Sequence, residues 1–209
     1  MKLEWEHLTS LQLDALKEVV NIGAGNAATA LSKLLKRSVT MEVPKAELIP
    51  VYEVAEKYGA PETPVCAVLI RCEGEFSGNV IFLMEEGEAF RLSEILISQD
   101  LGSLDDAMKE EIRDSVNAEV GNIIIGAFLS AISLLVGSPL PSTVPAVAHD
   151  MLGSIMDVVA ALYGMAGDVA LMSKTTLNVI GEDSEVRGTV VLVPDPDSLE
   201  TLLKKLGVF

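Results

Sequence analysis

The sequence predicts an α+β fold assembled from two copies of one unit: an antiparallel sheet accompanied by two long helices. Three observations predict it. First, the stretch Asp14-Ala-Leu-Lys-Glu18-Val-Val-Asn21 has a second version, Ser115-Val-Asn-Ala-Glu119-Val-Gly-Asn122. Glu18, Asn21, Gly25 and Pro44 each have a counterpart 101 residues later, at Glu119, Asn122, Gly126 and Pro145. Second, each half reads as long helix, strand, hairpin and helix, and antiparallel hairpins with helices grouped around them belong to the α+β class. Third, 49% of the 209 residues are hydrophobic and mean hydropathy is +0.40, enough for a sizeable core. Aromatics are only 4%, so that core is mostly aliphatic. The expectation is one domain made of two internal repeats, about 8–100 and 105–209.

Thr9 or Ser10 is placed to cap the first helix, which is expected to reach about residue 36. Lys33, Lys36 and Arg37 near its end suit the negative pole of the helix dipole. Residues 39–43 alternate as a short strand, which Pro44 ends or confines to a sheet edge. Residues 46–53 form a second extended piece, and residues 56–64, with Gly59, Pro61 and Pro64, read as a loop. Residues 65–72 and 76–84 make a hairpin around Glu73-Gly74-Glu75. Residues 86–98 carry Ala89, Leu92, Ile95 and Leu96 at helical spacing.

Residues 99–103 connect the halves, and Asp105 and Asp106 open the second long helix. That helix runs to about residue 136, where Gly137-Ser-Pro-Leu-Pro141 stops it. Residues 143–148 match the strand at 39–43. Residues 150–164 are apolar and helical in rhythm where the first half has a strand and loop, so the copies diverge there. The Met-bearing run 151–165 reads first as core and second as a protein-binding surface, because Met packs adaptably. Residues 169–180 and 185–193 make a second hairpin. Its return strand, Val186-Arg-Gly-Thr-Val-Val-Leu-Val, parallels Phe76-Ser-Gly-Asn-Val-Ile-Phe-Leu. Residues 194–206 close with a short helix.

On the first helix Asp14, Glu18, Asn21, Gly25 and Thr29 share one polar face, while Leu13, Leu16, Val20, Ala27 and Leu31 form the opposite, core-facing stripe. Ser115, Glu119, Asn122, Gly126 and Ser130 repeat the face, opposite Gly121, Ile124, Phe128, Ile132 and Leu135. A glycine inside a helix costs ~1 kcal/mol against alanine. Two on the exposed face at one offset suggest a shallow bay that lets another surface approach. A carboxamide donates and accepts at once, so it can hold a water in line for attack. The Glu, ~5–6 Å away one turn back, can pair with a partner's Lys or Arg. Such a site acts on chemistry assembled on another molecule. An acyl phosphate on a partner protein fits, the partner supplying phosphoryl group and Mg²⁺.

Asp or Ser, three residues, Glu, two residues, Asn, then 22 residues and Pro, is a pattern that resembles the CheC/CheX/FliY chemotaxis phosphatases. Asp14, Glu18, Asn21 and Pro44 match one copy; Ser115, Glu119, Asn122 and Pro145 match the other. Residues 21–30, Asn-Ile-Gly-Ala-Gly-Asn-Ala-Ala-Thr-Ala, are similar to the same family, and two complete motifs favour its CheC type. FliY adds further segments, and none is expected here. The resemblance implies pseudo-two-fold symmetry with the long helices displayed outside. It implies hydrolysis of the aspartyl phosphate of the response regulator CheY, with Asn21 and Asn122 orienting water and Glu18 and Glu119 pairing with a basic residue of the regulator. Asp14, Ser115, Gly25, Gly126, Pro44 and Pro145 would be supporting residues. No metal or cofactor is expected on this chain, Mg²⁺ belonging to the regulator, and the deamidase CheD is an expected second partner. The alternative is a non-catalytic regulator-binding or motor-switch adaptor.

Composition narrows the remaining classes. A net charge of −16 with pI near 4.4 repels nucleic acid. No apolar run is expected to reach membrane-spanning length, and the charged N-terminus lacks a signal-peptide core, so membrane insertion is not expected and the cytoplasm is. Cys66 and Cys72 lie too far apart along one strand to pair and read as reduced core thiols. His7 and His149 read as structural or surface residues. The acidic residues at 105–106 and 110–111 suit a helix N-terminus. Gly23-Ala-Gly25 lies mid-helix and fails the context of a dinucleotide loop.

Overall fold

Six antiparallel strands form a single sheet in the order β1-β5-β6-β3-β2-β4, in a computed structural model that describes residues 8–97, 105–163, 169–182 and 185–209. The strands are β1 (Val39–Pro50), β2 (Pro64–Cys72), β3 (Gly78–Glu85), β4 (Ala146–Met151), β5 (Val169–Val179) and β6 (Val186–Pro194). The order interleaves the halves. β1 of the first half pairs with β5 of the second, and β4 of the second pairs with β2 of the first. β3 and β6, the return strands of the two hairpins, meet at the centre. The helices are α1 (Ser10–Leu35), α2 (Val54–Tyr58), α3 (Glu86–Leu96), α4 (Asp106–Val136), α5 (Leu152–Tyr163) and α6 (Ser198–Lys205). The architecture is α+β, as the sequence predicts.

Alternation along each strand sends one set of side chains to each face. Cys66, Val68, Ile70, Phe82, Met84 and Leu171 face the layer formed by α1 and α4, with α3 and α6 at its margins. Val65, Ala67, Ile81, Leu83, Met172 and Val191 face a smaller core closed by α2 and α5. The two cysteines are free and buried on the α1/α4 face. Burial pushes the Cys66 thiol up to about 12 and the Cys72 thiol to about 11, so both stay protonated.

Several boundaries differ from the sequence reading. Residues 39–53 do not make two extended pieces: β1 runs unbroken to Pro50, with a register shift between Glu42 and Lys45 that absorbs Pro44. A proline missing its N–H is tolerated there because β1 is an edge strand. The expected loop begins with a short helix, α2, whose Val54 and Ala55 are buried. The first half therefore does have an element where the second has α5, and α2 and α5 touch. The strand expected at 143–148 pairs as β4 from Ala146, because Pro145 interrupts the ladder. Upstream, Ser142 still bridges Cys72, and Thr143 N donates to the Arg71 carbonyl. In α5, Leu152, Met156 and Val159 are buried while Val158 stays 58% exposed, and Met151, the last residue of β4, is 53% exposed. Residues 1–7, with His7, and the connector at 99–103 lie outside the described residues.

The expectation of no apolar run of spanning length fails for α4. Its most apolar window has mean hydropathy 1.9, long enough to cross a membrane by composition, yet 50% of it is buried inside the protein. α4 packs on β2, β3 and α1, so its apolar surface is spent on the core. The fit is close at Gly121. A Cβ there would sit 2.6 Å from Val68 Cβ, which lets the helix lie directly on β2.

Candidate functional site

The two long helices position the duplicated residues. α1 begins with a reciprocal cap: Thr9 Oγ1 accepts from Gln12 N, and Gln12 Oε1 accepts from Thr9 N. It ends at Lys36, in the left-handed conformation at φ 51°. α4 is capped by Asp105, which accepts from Met108 N at 2.8 Å, and ends at Gly137 at φ 72°. Both caps fix where the helices start, and hence which residues face outward.

Leu16, Val20, Ala27 and Leu31 are buried on α1, and Leu13 is half-buried. Asp14, Glu18, Asn21, Gly25 and Thr29 are all exposed. On α4, Ser115, Glu119, Asn122 and Ser130 are exposed, Gly126 is half-buried, and Gly121, Ile124, Phe128 and Ile132 are buried. Each Glu and Asn thus lies on an outward helical surface. Among the described residues none of Glu18, Asn21, Glu119 and Asn122 has a side-chain hydrogen bond or ion pair within the protein, so their donors and acceptors are open to a visitor. Pro44 and Pro145 lie on the edge-strand side of each half, in or beside β1 and β4, and not on either helix.

The repeat extends to the far end of each face. Thr29 Oγ1 donates to the Gly25 carbonyl at 2.9 Å, and Ser130 Oγ donates to the Gly126 carbonyl at 2.7 Å. A Cβ added at Gly25 or Gly126 would meet nothing within 4 Å. Internal packing therefore does not require glycine at either position, unlike Gly121. What the two glycines leave is open space one turn beyond each Asn.

The faces differ at their N-terminal ends, which the sequence reading missed. Lys17 Nζ lies 3.3 Å from Asp14 Oδ1 and partly neutralises it, whereas Ala118 stands at the matching position. Ser115 Oγ instead donates to the Glu111 carbonyl at 2.9 Å. An acid with a base three residues on was the available signal.

The fold is shared with solved structures of flagellar and chemotaxis proteins. The crystal structure of Thermotoga maritima FliY matches 96% of this chain and 98% of its own with a TM-score of 0.74 at 18% identity. CheX from Borrelia burgdorferi, solved in a CheX-CheY-BeF3-Mg complex, matches 85% of this chain and 97% of its own with a TM-score of 0.54 at 18% identity. A model of the CheC-like family matches residues 11–48. The CheY-P phosphatase CheC of Bacillus subtilis is 32% identical over 94% of this chain and 94% of its own length. The chain belongs to the CheC-like family.

Proposed function

We propose that this protein is a chemotaxis phosphatase that hydrolyses the aspartyl phosphate of the response regulator CheY. The observation that carries the reading is the pair of Glu–Asn sets, without partners among the described residues, each on an exposed helical face with an open glycine one turn beyond. The kinship with a CheY-P phosphatase supports it. Asn21 or Asn122 enters the regulator's phosphorylation site, accepts from the attacking water through its Oδ1 and orients it toward phosphorus. The phosphorus–oxygen bond to the regulator's aspartate breaks, leaving a carboxylate and inorganic phosphate. Glu18 or Glu119 pairs with a basic residue of the regulator and sets the approach of the helix. Asp14 and Ser115 support these positions, and Gly25 and Gly126 leave room for the regulator's surface. Mg²⁺ belongs to the regulator, and no covalent intermediate forms on this chain. In this reading the chain is one domain of two repeats, works in the cytoplasm, and has CheD as a second partner.

A fold shared with FliY and with FliM middle domains favours one other reading, a non-catalytic adaptor whose faces only dock. Release of phosphate from phosphorylated CheY separates the two. A catalyst accelerates it; an adaptor leaves it unchanged or slows it. Asn21→Ala with Asn122→Ala should lower the acceleration by roughly a hundredfold, the loss typical of removing a positioned polar group, with the unfolding temperature little changed. Undiminished acceleration by the double variant would overturn the role given to the carboxamides.

A further inference from the structure

The strand registers relate the two halves of the sheet residue by residue. Arg71 of β2 pairs with Asn79 of β3, as Lys174 of β5 pairs with Thr189 of β6. Six residues on from Asn79 stands Glu85, and six on from Thr189 stands Asp195. Arg71, Asn79 and Asp195 therefore have Lys174, Thr189 and Glu85 as counterparts. In one half the charges are joined: Arg71 donates to both oxygens of Asp195, and neither polar atom of the Asn79 side chain has accessible surface. In the other half they are not. Among the described residues Lys174 and Glu85 form no ion pair, and both line a cavity of about 340 Å³ with Pro44, Tyr58, Thr176 and Arg187. The register shift that absorbs Pro44 in β1 lies at its rim.

Thr189 is the second observation. It lies in the cavity wall, is only 4% exposed, and its hydroxyl makes no hydrogen bond among the described residues. Unlike Asn79, it is not sealed off. Buried polar groups are ordinarily partnered, so an accessible one left open is available to a visitor. The charges around it are of both signs. Lys174 and Arg187 come from β5 and β6, and neither side chain has a partner among the described residues. Glu85 and Glu88 come from the opposite side, at the end of β3 and the first turn of α3. Glu88 is engaged, 3.3 Å from Arg91 and accepting from the Arg187 backbone N–H at 3.2 Å. Burial, with Glu85 and Glu88 nearby, holds the Tyr58 phenol above its ordinary value, so it stays a donor. The groups left open are thus two cations, one carboxylate and hydroxyls. A bare anion would face Glu85, and a bare cation would face Lys174 and Arg187. A molecule carrying both charges satisfies the two sides together.

We propose that this cavity binds a free α-amino acid, its carboxylate held by Lys174, Arg187 and the Thr189 hydroxyl and its ammonium by Glu85, with its side chain against Tyr58 and Pro44. Lys174, Thr176, Arg187 and Thr189 alternate onto the sheet face of Met172 and Val191, away from α1 and α4, so the site is independent of the phosphatase reading. The test is a titration of the full chain with L-leucine, followed by NMR at the Thr189 backbone amide. A saturable shift with Kd of about 1 mM is expected. N-acetyl-L-leucine lacks the ammonium and L-leucine methyl ester lacks the carboxylate, and each should bind at least tenfold more weakly. Lys174→Met and Glu85→Gln, both on exposed side chains, should each weaken leucine about tenfold without lowering the unfolding temperature, while Lys45→Met, outside the cavity, should not. Three results would overturn the proposal: no saturation with leucine, a blocked form that binds as tightly as leucine, or unchanged binding in both Lys174→Met and Glu85→Gln.

Discussion

Alanine in place of Gly25 and Gly126 should make the protein more stable and the phosphatase slower. Both glycines lie inside long helices, and an added methyl would meet nothing within 4 Å at either position. Each substitution should therefore recover the helix propensity that glycine forfeits, ~1 kcal/mol. For a chain of this size, 1 kcal/mol raises the unfolding temperature by about 2–4 °C. The double variant should gain about 4–8 °C if the two sites act independently. Gly121→Ala is the internal control. Its methyl would lie 2.6 Å from Val68, and overpacking of ~1–3 kcal/mol cancels or exceeds the propensity gain. It should unfold no higher than the parent. Scanning calorimetry reads the first effect and phosphate release from phosphorylated CheY the second. A stabilised double variant with full activity would refute the idea that the open space receives the regulator. A double variant with no gain in stability would refute the helix accounting.

Other expectations follow from the packing. Burial raises the Cys66 and Cys72 thiols from an ordinary 9.0 to about 12 and about 11. The folded state holds these protons more tightly, so their stabilising effect is full below pH 9 and is lost as pH rises through about 11 for Cys72 and about 12 for Cys66. At pH 10 each thiol should cost the folded state roughly 1 kcal/mol, and a Cys66→Ala, Cys72→Ala variant should unfold with a flatter dependence between pH 8 and about 10.5. Arg71 donates to both oxygens of Asp195, at 3.0 and 2.5 Å, with both side chains about a quarter exposed. Arg71→Met should cost ~1–3 kcal/mol in urea unfolding by leaving that carboxylate half-buried, and Asp195→Leu added to it should recover part of the loss. Thr9→Ala removes one side of the reciprocal cap and should cost ~1 kcal/mol, read as earlier thermal unfolding.

The helices and hairpins were legible because their signals are local. Thr9 with Gln12, Asp105 before an apolar run, and Gly137 after it are cap chemistry that acts within four residues. The Glu18 and Glu119 faces were legible for the same reason, since helical spacing alone fixes which residues share a side. The elements that were misread depend on neighbours distant in sequence. Pro44 looks like a strand end until β5 is seen to accept a register shift beside it. Pro145 looks like part of a strand until its ladder with β2 proves to begin one residue later. Val54 and Ala55 are too short an apolar stretch to announce α2, and they become helical by burying against the sheet. The pairing of β1 with β5 and of β4 with β2 leaves no local trace. α4 misled in another way: its hydropathy matches that of a lipid-facing helix because one side lies on the sheet and another on α1.

Because each edge strand belongs to the opposite half, a chain cut between α3 and α4 would yield two fragments, neither owning a contiguous sheet. Among the described strands, β1 would lose its one neighbour in one piece, and β4 would lose its one neighbour in the other. Assembly must wait for contacts more than a hundred residues apart along the chain, which makes for slow folding. It also ties the fate of the two motif-bearing helices together, since damage to either repeat unmakes the platform under both.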